Sequence, residues 1–198
     1  SSVGIAHAPE HGVDASDILS SAGFAALDTH QPLTVYDPAI ADWQYQQQML
    51  MLDIEEALGN GCIWLEYQPT VRIEDASIAS LEALIRWQHP NQGLLGAAEV
   101  IPFAESNALI IEIGNWVLNE SCRQLRAWLE QKCAPRHIAV NVSARQLEDR
   151  NFVHIVNRVA KSHQVPLNML ELEVTESCLQ NSEIGLYNLR RLKELGAN

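Results

Sequence analysis

The sequence predicts an α/β fold built on a mainly parallel sheet. Short apolar segments alternate with helical patterns of ten or more residues, the order typical of βα units. With 47% hydrophobic and 19% charged residues among 198, the chain can bury a sizeable core. Polar residues also interrupt three of the apolar strand segments, which is typical of functional groups where parallel strands end.

The first part of the chain predicts a small strand–helix–strand unit. Apolar runs at 3–6 and 33–36 indicate short strands, and Asp14 is a suitable cap for a helix between them. A longer helix is expected to begin at Asp37-Pro38, because Asp caps well and Pro fits the first helical position. This helix would end before Gly59 and link two units.

The rest of the chain alternates strands and helices more regularly. Helical spacing of apolar residues, as at Ile110, Ile113 and Val117, separates the helices from the shorter apolar strands, and Gly196 suits a helix C-terminus. A loop is expected over 90–96. The predicted strands are 63–71, 78–87, 137–142 and 170–174, and the predicted helices are 97–105, 108–131, 152–165 and 186–195.

Charge and cysteine content exclude several classes of protein. The formal net charge of −12 argues against a DNA-binding or anionic-membrane surface, since neither gains from more negative charge. No uncharged apolar run approaches the roughly 18 residues of a membrane span, and no signal peptide opens the chain. The four cysteines form no C-x-x-C pair, which favours core thiols in a reduced, cytoplasmic protein.

Glu82, Asn141 and Glu173 are the polar residues within the apolar strand segments. Buried carboxylates and amides are costly unless they are paired or bound to a metal. Two carboxylates and an amide carbonyl suit Mg²⁺ or Mn²⁺ better than zinc. The alternative is that each side chain meets a hydrogen-bond partner or an arginine in the core.

Several separated motifs, in one order, resemble the EAL domain family of cyclic di-GMP phosphodiesterases. The resemblance covers about residues 42–198 and implies that 61–198 form the N-terminal part of a (β/α)₈ TIM-like barrel whose first strand is antiparallel. It implies hydrolysis of cyclic di-GMP, a bacterial second messenger, to linear pGpG by metal-assisted water attack. The motifs are YQP at 67–69, EALIRWQHP at 82–90, IPFAE at 101–105, NVS at 141–143 and EVTE at 173–176.

The resemblance also implies roles for individual residues. Glu82, Asn141 and Glu173 match the catalytic positions that bind metal, here two Mg²⁺ or Mn²⁺ ions. Gln68 and Arg86 match positions that contact the substrate, and a guanidinium suits a phosphodiester oxygen. The alternatives are a strand-end hydrogen bond for Gln68 and an ion pair with Glu82 for Arg86.

Glu176 matches a glutamate that anchors an active-site loop in the family, and its alternative role is a helix-cap carboxylate beside Ser177. In the family, paired aspartates, a lysine and a glutamate follow the segment that ends here at Gly196. We therefore expect the chain by itself to be inactive. The rival function is a non-catalytic receptor for cyclic di-GMP.

Residues 1–37 are similar to the closing part of a GGDEF domain, in SVGIA at 2–6, PEHG at 9–12 and YDP at 36–38. The segment at 25–30 lacks the family's basic residues, so we expect a degenerate remnant without cyclase activity. Residues 38–60 would be a linker helix. A homodimer through this helix or through the EAL domain is the expected assembly.

Overall fold

The computed structural model describes residues 3–26, 33–37, 54, 56–106, 109–175 and 182–198. Contacts divide the chain into two compact units, Ser1–Ile54 and Glu55–Asn198. This division falls inside the predicted linker range of 38–60. Most of that predicted helix lies outside the described residues, whereas 56–60 are helical.

The first unit contains β1 (Val3–Ile5), α1 (Ala15–Ala26) and β2 (Leu33–Val35). The two strands are parallel, as strands joined by a crossover helix are expected to be. The predicted cap is present, because the backbone N–H of Asp17 donates to Asp14 Oδ1 at 2.9 Å. Gly4 allows β1 to lie against α1, since a Cβ atom there would be only 1.9 Å from the carbonyl oxygen of Ala22.

The second unit holds a five-stranded sheet in the order β3-β4-β6-β7, with β5 paired to β4. β3 is antiparallel to β4, whereas β4, β6 and β7 are mutually parallel, so the predicted α/β class is confirmed. The strands are β3 (Ile63–Val71), β4 (Ile78–His89), β5 (Gly93–Gly96), β6 (Ile138–Asn141) and β7 (Leu170–Glu173). The helices are α2 (Ala97–Ser106), α3 (Ile110–Glu130), α4 (Ala144–Leu147), α5 (Phe152–Ser162) and α6 (Glu183–Glu194).

β4 has two different faces, where the sequence predicted a mostly buried strand. Ala83, Ile85 and Trp87 are buried, with Trp87 fully inaccessible. This face carries the helices, as the edge-to-face contact of Tyr67 on β3 with Trp128 on α3 shows. The alternate residues of β4 are less buried, because side chains along a strand point alternately to its two faces.

The predicted loop at 90–96 is wrong in its second half, where β5 pairs with β4 as a hairpin. Gly93 has a φ of +76°, which glycine adopts without strain and which allows the chain to reverse. The backbone N–H groups of Asn91 and Gln92 both donate to Nδ1 of His89 at 3.1 Å. His89 therefore stabilises a turn, and a four-residue strand is too short to produce a clear pattern.

Among the described residues, none of the helices has the length and apolar character needed to span a bilayer.

Candidate active site

The strand register places Glu82, Asn141 and Glu173 on one face of the sheet. In the parallel pairs, Glu82 lies beside Ala139, and Asn141 lies beside Glu173. Residues paired in this way point to the same face, and residues two apart on a strand do so as well. All three side chains therefore lie on the face opposite the helices, close to the carboxyl ends of β6 and β7.

Glu82 and Asn141 are in direct contact although 59 positions separate them in the sequence. Nδ2 of Asn141 donates to Oε1 of Glu82 at 2.8 Å. This bond turns the amide group so that Oδ1 of Asn141 stays available to a cation. The ends of β6 and β7 are also joined, because the N–H of Val142 donates to the carbonyl oxygen of Glu173 at 2.9 Å.

The electrostatics of the site are dominated by carboxylates. Partial burial, and then the nearby charges of Glu82 and Glu171, raise the pKa of Glu173 above its ordinary value. Within the described ranges, neither Glu82 nor Glu173 has an ion pair with a basic side chain. Among the described residues, these two carboxylates therefore lack a basic partner.

The donor set fits a hard divalent cation. Two carboxylates and one amide oxygen are oxygen ligands, and Mg²⁺ is commonly bound by one or two carboxylates with waters and substrate phosphates. The part of the chain that the structure describes holds no group of three His, Cys, Asp or Glu residues placed to bind a metal. A cation bound at this face would therefore need the amide oxygen of Asn141 as a third protein donor.

Arg86 and Gln68 lie on the same face as Glu82. Gln68 of β3 is directly opposite Glu82 in the antiparallel pair. Nε of Arg86 forms an ion pair with Oε2 of Glu66 at 2.8 Å, so the alternative considered for Arg86, an ion pair with Glu82, is wrong in its partner. Glu66 is opposite Leu84 and therefore diagonal to Arg86, a distance that long side chains cross easily.

A cleft of about 480 Å³ opens beside this face, a volume within the usual range for small-molecule sites. Glu82 and Asn141 line it, together with mostly apolar groups from the sheet and from two helices. Its helical walls come from α2 and α3, including Ile101, Pro102, Ile110, Ile113 and Gly114. The cleft can therefore hold a largely apolar group beside Glu82.

The sequence did not single out Glu66, His137, Glu171 or Gln146, although each contacts a site residue or its strand. His137 Nε2 lies 2.7 Å from Oε2 of Glu171, whose charge acts on Glu173. Gln146 forms a capping box with Ser143, just after Asn141. Only this last feature had a sequence signal, the Ser-x-x-Gln spacing.

The predicted loop anchor Glu176 lies outside the described residues. Trp87 and His89, the other prominent side chains of the same motif, form an edge-to-face pair with ring centroids 4.8 Å apart. They are therefore packing and turn residues.

Comparison with known proteins agrees with this geometry. Residues 51–198 match the family described as the EAL domain. Over 201 residues the chain is 33% identical to cyclic di-GMP phosphodiesterase PdeR of Escherichia coli K12, covering 99% of the chain and 30% of PdeR. Over 200 residues it is 34% identical to the bifunctional diguanylate cyclase/cyclic di-GMP phosphodiesterase MucR of Pseudomonas aeruginosa, covering 98% of the chain and 29% of MucR.

A solved structure, the PaMucR phosphodiesterase in complex with c-di-GMP, superposes with a TM-score of 0.71 at 38% sequence identity. The superposition covers 76% of this chain and 61% of that one. The chain spans 30% and 29% of the length of the two curated relatives.

Proposed function

The chain belongs to the EAL domain family, and we propose that it supplies part of a phosphodiesterase that hydrolyses cyclic di-GMP to linear pGpG. One observation carries this proposal. The amide of Asn141 binds the carboxylate of Glu82 at 2.8 Å, on the face that also carries Glu173 and Arg86. A divalent cation and a phosphodiester are the ligands that this combination of charges suits best.

We propose that Glu82, Asn141 and Glu173 hold Mg²⁺ or Mn²⁺, with two ions in the complete site. Such ions, when bound, supply a water of lowered pKa and stabilise the charge on the attacking and leaving oxygens at phosphorus. The two carboxylates provide the negative charge that keeps the cations in place. Asn141 provides a neutral oxygen and holds the carboxylate of Glu82 in one orientation.

Arg86 and Gln68 are proposed to bind the substrate. The guanidinium of Arg86 is 24% exposed and has N–H groups beyond the one that Glu66 accepts, so a phosphate oxygen can join it. Gln68 faces Glu82 across the strand pair and can donate to the same phosphodiester. The apolar cleft beside them suits a base of the dinucleotide.

We further propose that 61–198 are the N-terminal part of a (β/α)₈ barrel and that residues 1–37 are a degenerate GGDEF-like remnant. The parallel β4-β6-β7 order and the antiparallel β3 support the first assignment. The alignment with bifunctional MucR over 98% of the chain supports the GGDEF-like origin of residues 1–37, and the lack of basic residues at 25–30 supports their degeneracy. Protein consisting of residues 1–198 should therefore produce no cyclic di-GMP from GTP.

The hydrolase proposal is tested with the full-length protein and two variants. Glu82→Ala removes one carboxylate of the site, and we expect it to lose Mn²⁺-dependent formation of pGpG and to bind Mn²⁺ more weakly in calorimetry. Glu74→Ala, an exposed carboxylate in the β3–β4 turn, is the matched control and should behave as the wild type. Wild-type binding of cyclic di-GMP without any hydrolysis would indicate a receptor instead. Full turnover by Glu82→Ala would exclude the metal site assigned here.

A further inference from the structure

We propose that Gln146 is a positioning residue for Asn141 and that Gly114 exists as glycine to make room for it. Gln146, Ser143 and Gly114 are called the α4 clamp below. The inference rests on the proposed function in one respect, because Asn141 is taken to be the metal ligand that the clamp orients. Ser143 closes the NVS motif at 141–143, whereas Gln146 and Gly114 lie outside the motifs that identified the site.

The clamp begins with reciprocal hydrogen bonds between Ser143 and Gln146. Oε1 of Gln146 accepts from the backbone N–H of Ser143 at 3.2 Å and from its hydroxyl group at 3.1 Å. Oγ of Ser143 accepts in turn from the backbone N–H of Gln146 at 3.3 Å. These bonds fix the backbone where β6 leaves the sheet and α4 begins, two residues after Asn141.

Gln146 is held from its other side by α3. Its side chain is buried, with 4% of the residue exposed. A Cβ atom at Gly114 would lie 2.1 Å from Nε2 and 2.3 Å from Cδ of Gln146. The amide group therefore lies directly against the backbone of α3, and a larger residue at position 114 would require it to move.

The far end of α4 is held as well, so it cannot easily shift to relieve a clash. Asn188 of α6 is 1% exposed, and its Nδ2 donates to the carbonyl oxygens of Leu147 and Asp149, each at 2.8 Å. Leu147 is fully buried and lies near Gly185, where a Cβ atom would be 3.2 Å from its Cδ2. With that end fixed, a displaced Gln146 must move Ser143 and the strand end before it.

A small displacement at Ser143 reaches the proposed ligand. Asn141 makes its 2.8 Å bond to Glu82 through Nδ2, and the same bond determines where its Oδ1 points. Groups that orient a metal ligand typically affect metal affinity or activity by about 10- to 100-fold when they are removed. The clamp is thus expected to act on metal binding and turnover.

The test uses the full-length protein with Gly114→Ala, Gln146→Ala and the double variant. Each single variant should lower kcat for cyclic di-GMP and weaken Mn²⁺ binding in calorimetry by about 10- to 100-fold. Because the added methyl group acts through Gln146, the double variant should be no worse than Gln146→Ala. Gly23→Ala in α1, where a Cβ atom meets nothing within 4 Å, is the matched control and should have no effect.

A second readout needs neither metal nor activity. With ¹⁵N-asparagine labelling, the side-chain amide signals of Asn141 should shift in Gly114→Ala and in Gln146→Ala but not in Gly23→Ala. Wild-type protein that fails to bind Mn²⁺ or to hydrolyse the substrate would refute the proposed function, whereas unchanged Asn141 signals would refute the clamp. The clamp would also be refuted if the losses of the two single variants multiplied in the double variant. If Gly114→Ala does not fold, the side-chain amide signals of Asn141 in Gln146→Ala test the clamp alone.

Discussion

At the scale of single residues, the site separates paired carboxylates from unpaired ones. Glu66 is bound to Arg86 at 2.8 Å and Glu171 to His137 at 2.7 Å. Glu82 and Glu173 have no such basic partner within the described part of the chain. Of these four carboxylates, the two without a basic partner are therefore Glu82 on β4 and Glu173 on β7, the strands on either side of β6.

Glu66→Gln should tighten substrate binding. The carboxylate of Glu66 occupies one donor of Arg86 and repels an approaching phosphate, and both effects disappear in the amide. Ion pairs at partly exposed sites contribute about 0.2–1 kcal/mol, so KM for cyclic di-GMP should fall by up to about fivefold. Steady-state kinetics at low and high salt measure this, with Glu74→Gln as the control. A higher KM would instead mean that Glu66 holds Arg86 in its binding position.

Glu173→Gln should stabilise the metal-free protein at neutral pH while abolishing hydrolysis. The pKa of Glu173 is raised in the folded state, so between its ordinary value of 4.5 and the raised value the folded chain binds more protons than the unfolded chain. Stability therefore falls as pH rises through this window, and the penalty is complete above the folded pKa. The amide removes the penalty.

Urea denaturation at pH 4 and pH 7 checks this prediction. The variant should be more stable than the wild type at pH 7, and the difference should vanish at pH 4. Mn²⁺ should stabilise the wild type more than the variant. A variant that is less stable at both pH values would show that Glu173 is a structural hydrogen-bond partner and not a strained ligand.

At the scale of secondary-structure elements, the four-residue helix α4 contacts two longer helices. It is held by Gln146 against α3 at one end and by Asn188 of α6 at the other. Because α4 directly follows β6, the helices packed around it determine where the proposed ligand strand ends.

Asn188→Ala should destabilise the second unit strongly. The change leaves the carbonyl oxygens of Leu147 and Asp149 without their donor and creates a cavity at a residue that is 1% exposed. Together these effects should lower the free energy of unfolding by about 2–4 kcal/mol. Chemical denaturation measures the loss, and Asn157→Ala on α5, whose side chain is only half-buried, is the control. A loss below about 1 kcal/mol would mean that water replaces the amide.

Most of these elements were predictable from the sequence, and the exceptions share a physical cause. β3 was predicted with its observed bounds, since nine residues of apolar and polar alternation distinguish a strand from a helix. β5, with two apolar residues between glycines, and α4, with a single helical turn, contain no repeated apolar pattern. The partners of Arg86 and Asn141 depend on the register between strands that are distant in the sequence. The spacing of apolar residues within one segment does not predict that register.

At the scale of the whole molecule, each of the two compact units has close packing of its own. In the first unit, β1 and α1 approach so closely that Gly4 has the Ala22 carbonyl and the Ala26 backbone nitrogen where a Cβ atom would be. The second unit buries its own core around Trp87, Leu125 and Ile138. Damage to the first core should therefore leave the second intact.

Gly4→Ala should unfold the first unit alone. A Cβ atom 1.9 Å from a helix carbonyl oxygen cannot be accommodated without separating β1 from α1. Hydrogen exchange followed by mass spectrometry should show lost protection in 3–26 and unchanged protection in 63–89. Gly23→Ala, on the same helix with open space around it, should leave both segments protected. Simultaneous loss of protection in both segments would show that the units fold as one.

The bond from the Val142 N–H to the Glu173 carbonyl oxygen, at 2.9 Å, has a consequence for the thermodynamics of cation binding. It joins the backbone next to Asn141 directly to that of Glu173, so their spacing is set when the sheet forms. Ordering a residue costs about 1–2 kcal/mol of conformational entropy. Here that entropy is lost when the chain folds and not when an ion binds. The proposed site is therefore preorganised, and we expect the loss of the ion's hydration water to be the main remaining cost of binding.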